Sequence, residues 1–210
     1  MEFQDIYQRL PGLVLGFHGC DEKVGEAILS GQTKHLKHSQ NDYDWLGGGI
    51  YFWENDPKRA FEFAEDVRKN PKKSRGVIKK SFVVGAVIDF RMCCNLLDRC
   101  ALDELKDSYD FLESLSTVTT EPLPVNNRER MARRLDCLVI ETMHKLRERS
   151  GLDSYDTVRG AIWEGGELYA GAQKRKAQSC ADCGTQYRMH QRLLSAHASL
   201  NEIAAFCRLA

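Results

Sequence analysis

The chain has no long apolar run. Its longest near the start, Leu13–Phe17, is too short for a signal-peptide core, and no segment could span a bilayer. It also has no net charge of either sign. Thirty Lys and Arg balance thirty Asp and Glu, so no global field draws it to nucleic acid or to an anionic membrane. The phosphate-binding fingerprints are missing: there is no Walker A motif and no G-x-G-x-x-G after a strand. Internal repeats and low-complexity tracts are absent too. A soluble, cytoplasmic protein is expected, and 210 residues suffice for one domain with extensions and a real core.

Cysteine is plentiful, but a cysteine framework is not. Cys20, Cys93, Cys94, Cys100 and Cys137 are scattered among strand and helix patterns and read as reduced, mostly buried thiols. Cys180 and Cys183 form a single C-x-x-C. His190 and His197 follow it, but their gap is wider than the usual finger spacing, so a zinc-bearing tail is the weakest of the readings considered and no metal site is expected.

What the chain does have is a pattern of alternating strands and helices. Leu13–Phe17 reads as a buried strand with a polar tip at His18-Gly19. Asp21 is placed to cap a helix with Val24, Ala27 and Ile28 on one face and Gly31 at C′. A polar loop over 32–44 leads to a second strand, Ile50–Trp53. Asn55 or Asp56 caps the next helix, Pro57 fits its first turn, and Ala60, Phe63, Ala64 and Val67 recur at helical spacing. Asn70–Arg75 breaks it.

Phe82–Phe90 is a near-continuous apolar strand, covered on both faces. Leu102–Leu115 reads as a helix and Thr117–Asn127 as a loop. Met131, Leu135, Leu138, Thr142 and Leu146 mark an amphipathic helix. Val158–Trp163 and Leu168–Tyr169 are short strands around Glu-Gly-Gly-Glu. After Gly171 the character changes: 173–192 is polar without alternation, and Leu193–Leu209 can be a helix. The chain is expected to lack a closing strand, so it divides into a domain over 1–172 and an atypical tail over 173–210.

The most informative stretch is Gly47-Gly48-Gly49-Ile50-Tyr51-Phe52-Trp53. Glycine is needed there if the backbone must take positive φ or let another molecule approach. An aromatic residue directly after such a loop offers a flat face to a ring.

Together with Phe17-His18-Gly19, about thirty residues earlier, and the helix pattern Asn55–Ala64, this segment resembles the ADP-ribosyltransferase superfamily. The likeness is to its diphtheria-toxin-like and poly(ADP-ribose)-polymerase-like branch, in a bacterial form with a His–Tyr–Glu or His–Tyr–Gln pattern. The resemblance implies an α+β fold, with two small antiparallel sheets packed across each other around an NAD cleft and flanked by helices. It implies that His18 hydrogen-bonds a ribose hydroxyl of NAD and that the Gly19 backbone clamps the nicotinamide carboxamide. Tyr51 would stack on the nicotinamide ring, with Gly49 and Ile50 beside it. His18 and Tyr51 would then face each other across one crevice. NAD would be the substrate, and the acceptor a protein, nucleic acid or small molecule.

The chemistry suits these residue types. Breaking the nicotinamide–ribose bond builds cationic character on the sugar, and a third residue must stabilise it. A fixed polar group of that kind contributes roughly 2.7–4 kcal/mol, against about 0.5–1.5 kcal/mol for an aromatic stack. Glu164 is the leading candidate and Glu167 the second, although their spacing is not the Glu-x-Glu of the arginine-specific transferases. The later strand with His-x-Gln that the resemblance implies is missing.

One reading of this gap is a shifted frame. Codons for Lys174–Leu194 can be chosen so that a one-nucleotide offset yields a His-x-Gln, with its glutamine falling at Ala181-Asp182. The tail from about Gln173 would then be a frameshifted ending and the third residue lost. The rival to a transferase is therefore an inactive NAD-binding or interaction module.

Overall fold

A computed structural model of the chain describes residues 13–71, 76–127, 132–163, 183–189 and 207–208. The elements in chain order are β1 (Leu13–Asp21), α1 (Glu22–Leu29), β2 (Ile50–Glu54), α2 (Pro57–Lys69), β3 (Ser81–Asp89), β4 (Cys93–Asn95), α3 (Arg99–Thr119), α4 (Arg134–Arg149), β5 (Thr157–Trp163), β6 (Cys183–Met189) and β7 (Cys207–Arg208). The fold is α+β. The strands lie in the order β4-β5-β6-β2-β1-β3-β7, with β4 parallel to β5 and every other neighbour antiparallel.

β1 is longer than its apolar run suggests. It pairs with β3 along its whole length, from Leu13 opposite Asp89 to Asp21 opposite Ser81, so His18 sits inside the strand and not at its tip. β3 is buried on both faces, as its unbroken apolar composition predicts. One face of these strands meets Ile28 of α1 and Leu36 through Cys20, Ile50, Phe52, Phe82 and Val84. The other carries Phe17, Trp53 and Val83 against Ala60 of α2. Each fully buried Phe or Val here contributes about 1.5–3 kcal/mol, enough to hold a polar residue such as His18 within the strand.

The helix caps follow the sequence. The Asp21 carboxylate accepts from Lys23 N and also from the main-chain N–H groups of Lys79 and Lys80, tying the entry of β3 to the end of β1. Asp56 accepts from Arg59 N ahead of Pro57, and Gly31 takes φ +74° after α1. The buried face of α1 is Gly25 and Ile28, with Val24 exposed, because Gly25 is what lets the Phe82 ring approach. On α2, Ala60, Ala64 and Val67 are buried while Phe63 is exposed.

α3 runs on to Thr119, three residues into the expected loop. α4 buries Cys137, Val139, Ile140, Thr142, Met143 and His144, a wider face than the expected stripe. It is wide because α4 packs on a core with Leu46, Cys94 and Val158 and also clasps the loop before β2. Along that clasp Arg133 N donates to Tyr43 O, Arg134 Nε meets Asp42 Oδ2 at 2.9 Å, and Cys137 Sγ reaches Asn41 O.

The tail contributes a strand that its composition hides. β6 lies between β2 and β5, with Phe52 opposite Tyr187 and Arg159 opposite Tyr187 on its two sides. The expectation of a missing closing strand is thus overturned: two open strand edges impose the extended form on a polar segment. Of the expected helix over 193–209 only Cys207–Arg208 is described, and these two residues pair with β3 as a strand instead. Leu168–Tyr169, Cys180, Ala181, Asp182, His190 and His197 lie outside the described residues. Among the described residues no helix is long and apolar enough to cross a membrane, and Cys20, Cys93, Cys94, Cys100 and Cys137 are free thiols.

Candidate functional site

The sheet is pinched between β1 and β2. These strands pair only at Gly16 opposite Glu54 and Phe17 opposite Trp53, with Asn55 N donating to Leu15 O just beyond. Antiparallel alternation then turns the main-chain groups of Leu15, Phe17 and Gly19 toward β2. Glu22 N, of the opposite parity, indeed bonds Lys80 O on the β3 side. Were the ladder to continue, Gly19 N–H would donate to Tyr51 C=O and accept in return.

It does not continue. His18 Nδ1 takes that carbonyl, at 2.7 Å from Tyr51 O. This leaves the N–H and C=O of Gly19 facing β2 without a ladder partner among the described residues. Only glycine fits there, because a Cβ would stand 2.1 Å from Ala60 O on α2.

A carbonyl can only accept, so His18 Nδ1 carries a proton. Burial lowers the His18 pKa below its ordinary 6.5, and the Tyr51 carbonyl opposes this only in part. At neutral pH the ring is uncharged, and Nε2 is left as a hydrogen-bond acceptor. The Phe52 ring lies against the imidazole at 5.8 Å, tilted by 59°.

Tyr51 is held differently. Its hydroxyl donates to Gly47 O at 2.6 Å and accepts from Leu46 N at 3.0 Å. Its half-buried ring packs against the cluster of Leu46, Cys94, Ile140, Met143 and Val158. Neighbouring residues of a strand point to opposite faces. The phenol therefore leaves β2 on the face away from Phe52 and the imidazole.

The expectation that the two side chains oppose each other across one crevice is corrected here. His18 meets the Tyr51 main chain, while the phenol turns toward α4.

The glycine loop is likewise occupied. Gly47 has φ +78°, a conformation glycine adopts freely. Gly48 N donates to Glu141 Oε1 at 2.8 Å. Gly49 exchanges both main-chain bonds with Ser39, at 3.0 and 2.8 Å, and Ile50 is buried in the core. Gly49 thus has its main-chain groups bonded to Ser39, and Ile50 has its side chain in the core. The loop shapes the approach to β2, and the anionic group its Gly48 N–H holds is the protein's own Glu141 carboxylate.

Glu164 and Glu167 lie outside the described residues. Two other carboxylates near β2 went unread in the sequence. Glu54 pairs with Arg159 of β5 at 3.1 Å, both largely buried, and Glu141 bonds the loop. Neither carries a local motif, since their partners are 105 and 93 residues away. Among the described residues no group of three or more His, Cys, Asp or Glu is placed to hold a metal.

No protein-family profile matches the chain, and no solved structure matches it. It is similar to the uncharacterized protein MJ0359 of Methanocaldococcus jannaschii, with 30% identity over 146 residues. That stretch is 68% of this chain and 62% of the relative, so the chain spans less than two thirds of that protein's length.

Proposed function

We propose that the chain is an NAD-dependent ADP-ribosyltransferase that releases nicotinamide. The single observation carrying this reading is the interrupted ladder at Gly19, where His18 Nδ1 has displaced the Gly19 N–H from Tyr51 O. A primary carboxamide has one acceptor and two donors. It can accept from Gly19 N–H and donate to Gly19 C=O, filling the place of the absent strand neighbour. The pyridine ring then lies in the gap between β1 and β2, with the ribose near His18, whose Nε2 accepts from a ribose hydroxyl.

The pinch also supports a two-sheet view of the fold. β1 with β3 forms one antiparallel group, β2 with β6 and β5 the other, and the ligand sits where they part. Because the phenol and the imidazole are on opposite faces, a ligand touching both must thread this gap. Tyr51 then flanks the nicotinamide from the α4 side.

In the reaction the bond from ribose C1′ to the nicotinamide nitrogen breaks, and its electron pair leaves with nicotinamide. The acceptor nucleophile bonds C1′ and loses a proton to solvent. Gly19 and Tyr51 orient the leaving group. Glu164 is the residue assigned to stabilise the cationic sugar. The acceptor is a protein, a nucleic acid or a small molecule.

A second reading, NAD binding without turnover, is favoured by one observation. Both described carboxylates next to β2 are already committed, Glu54 to Arg159 and Glu141 to Gly48. Incubating the full chain with NAD tests the two. Nicotinamide release that Glu164→Gln abolishes supports the transferase, and saturable binding without release supports the inactive module. Absence of binding at millimolar NAD overturns both.

A further inference from the structure

We propose that Glu141 is a positioning residue that sets Tyr51 through the glycine loop. The proposal deepens the site described above and rests on that reading for its ligand. The connection is a chain of short hydrogen bonds. Glu141 Oε1 accepts from Gly48 N at 2.8 Å, and the adjoining Gly47 carbonyl accepts from the Tyr51 hydroxyl at 2.6 Å. The Tyr51 carbonyl, at the other end of that residue, accepts from His18 Nδ1 at 2.7 Å. A rigid helix is thereby joined to both aromatic groups of the site through one peptide unit.

Three features make this more than a surface contact. Gly47 is at positive φ, in a segment with little stiffness of its own. Ser39 fixes the loop on one side through Gly49, which leaves Gly48 as the point at which the other side can be held. Space there is tight: a Cβ on Gly48 would lie 3.1 Å from Ser39 O and 3.7 Å from Glu141 Oε1. Glu141 also stands one turn beyond Cys137, at the far end of the helix face that clasps residues 41–43. The bond is charge-assisted, the stronger kind. Losing it frees the Gly47–Gly48 peptide to rotate, and the Tyr51 hydroxyl loses a fixed acceptor.

The test compares the full-length parent with Glu141→Ala, Glu141→Gln and Glu141→Asp. Gln keeps an oxygen acceptor at the same reach, and Asp keeps the charge but is one methylene short. The readouts are Gly48 amide hydrogen exchange, the Tyr51 ring carbon shift, and binding of NAD and of nicotinamide. In Ala and Asp we expect Gly48 exchange at least about tenfold faster, a shifted Tyr51 ring signal and ligand binding weakened about tenfold, with Gln close to the parent.

If Ala does not fold, Asp and Gln carry the comparison. Unchanged Gly48 exchange and Tyr51 signal in Asp overturn the proposal. So does parental ligand affinity in a variant whose loop has loosened. A parent that binds neither NAD nor nicotinamide removes the NAD reading instead, and the exchange and ring signals still decide whether Glu141 sets the loop.

Discussion

His18 Nδ1 donates to the main-chain oxygen of Tyr51, 33 residues away, across 2.7 Å. The imidazole thereby acts as a spacer that keeps two neighbouring strands apart. The effect on pH follows from its burial. Its folded pKa lies below the ordinary 6.5, so the unfolded chain takes up the proton first as pH falls. The stability tied to neutral His18 is complete above pH 6.5 and declines below it, down to the folded pKa. Parent protein should lose stability on acidification from pH 7 to 5 more steeply than His18→Gln, measured by denaturant melts at each pH. Parallel curves for the two proteins would remove the neutral imidazole from the account.

The main-chain groups of Gly19, which have no ladder partner on the β2 side among the described residues, predict a sharp preference between two small ligands. Nicotinamide offers Gly19 C=O an N–H donor. Nicotinic acid, ionised at neutral pH, offers only oxygen and sets a negative charge against that carbonyl. Nicotinamide should compete with NAD, and nicotinic acid should bind at least about tenfold more weakly. Equal competition in the dose curves of the amide and the acid would mean that no carboxamide is read at Gly19.

Tyr51 cannot be tested cleanly by truncation. Its ring packs on the cluster under α4, so Tyr51→Ala opens a cavity costing about 3–5 kcal/mol, and loss of binding would report unfolding. Tyr51→Phe keeps the ring and removes only the bonds to Gly47 O and Leu46 N. A destabilisation of about 1–3 kcal/mol is expected from the loss of these hydrogen bonds, with NAD binding retained but weaker. Phe at parental affinity and stability would show that the hydroxyl anchors nothing.

Much of the frame was legible because apolar period and caps act locally. Asp21, Asp56, Pro57 and Gly31 sit where the residue types predict, and Phe82–Phe90 shows its double burial directly. β1 was underestimated because His18-Gly19 looks like a strand end, when β3 supplies pairing partners straight through it. β6 was invisible, since Cys183–Met189 is polar and its strand form comes from the edges of β2 and β5.

The site was half legible. His18 and Tyr51 do meet, but through the imidazole and the Tyr51 carbonyl and not across a crevice, and the sequence does not say that a side chain meets a carbonyl there. Three glycines suggested an open loop, whereas Ser39 and Glu141 already hold Gly49 and Gly48. Long-range bonds of that kind leave no trace in spacing.

The junction of α2 with β3 has its own acid signature. The Glu65 carboxylate is held down to about 2, first by the hydrogen bond from Arg68 and then by that from Ser81. Ser81 Oγ donates to Glu65 Oε1 at 2.5 Å, so this one side chain joins the helix that backs Gly19 to the first residue of β3. A depressed carboxylate stabilises the fold above its unfolded value of 4.5, and that contribution is lost as pH falls from 4.5 toward 2. The group keeps part of its surface in solvent, so the effect is modest and screened by salt. Glu65→Gln should therefore flatten the acid limb of the stability curve between pH 4.5 and 2 while leaving stability near pH 7 slightly reduced. Thermal melts across that range, at low and high ionic strength, provide the measurement. A variant with the same acid limb as the parent would place the pH dependence on other carboxylates, Asp21 first among them, since the main-chain N–H of Lys79 lowers its pKa as well.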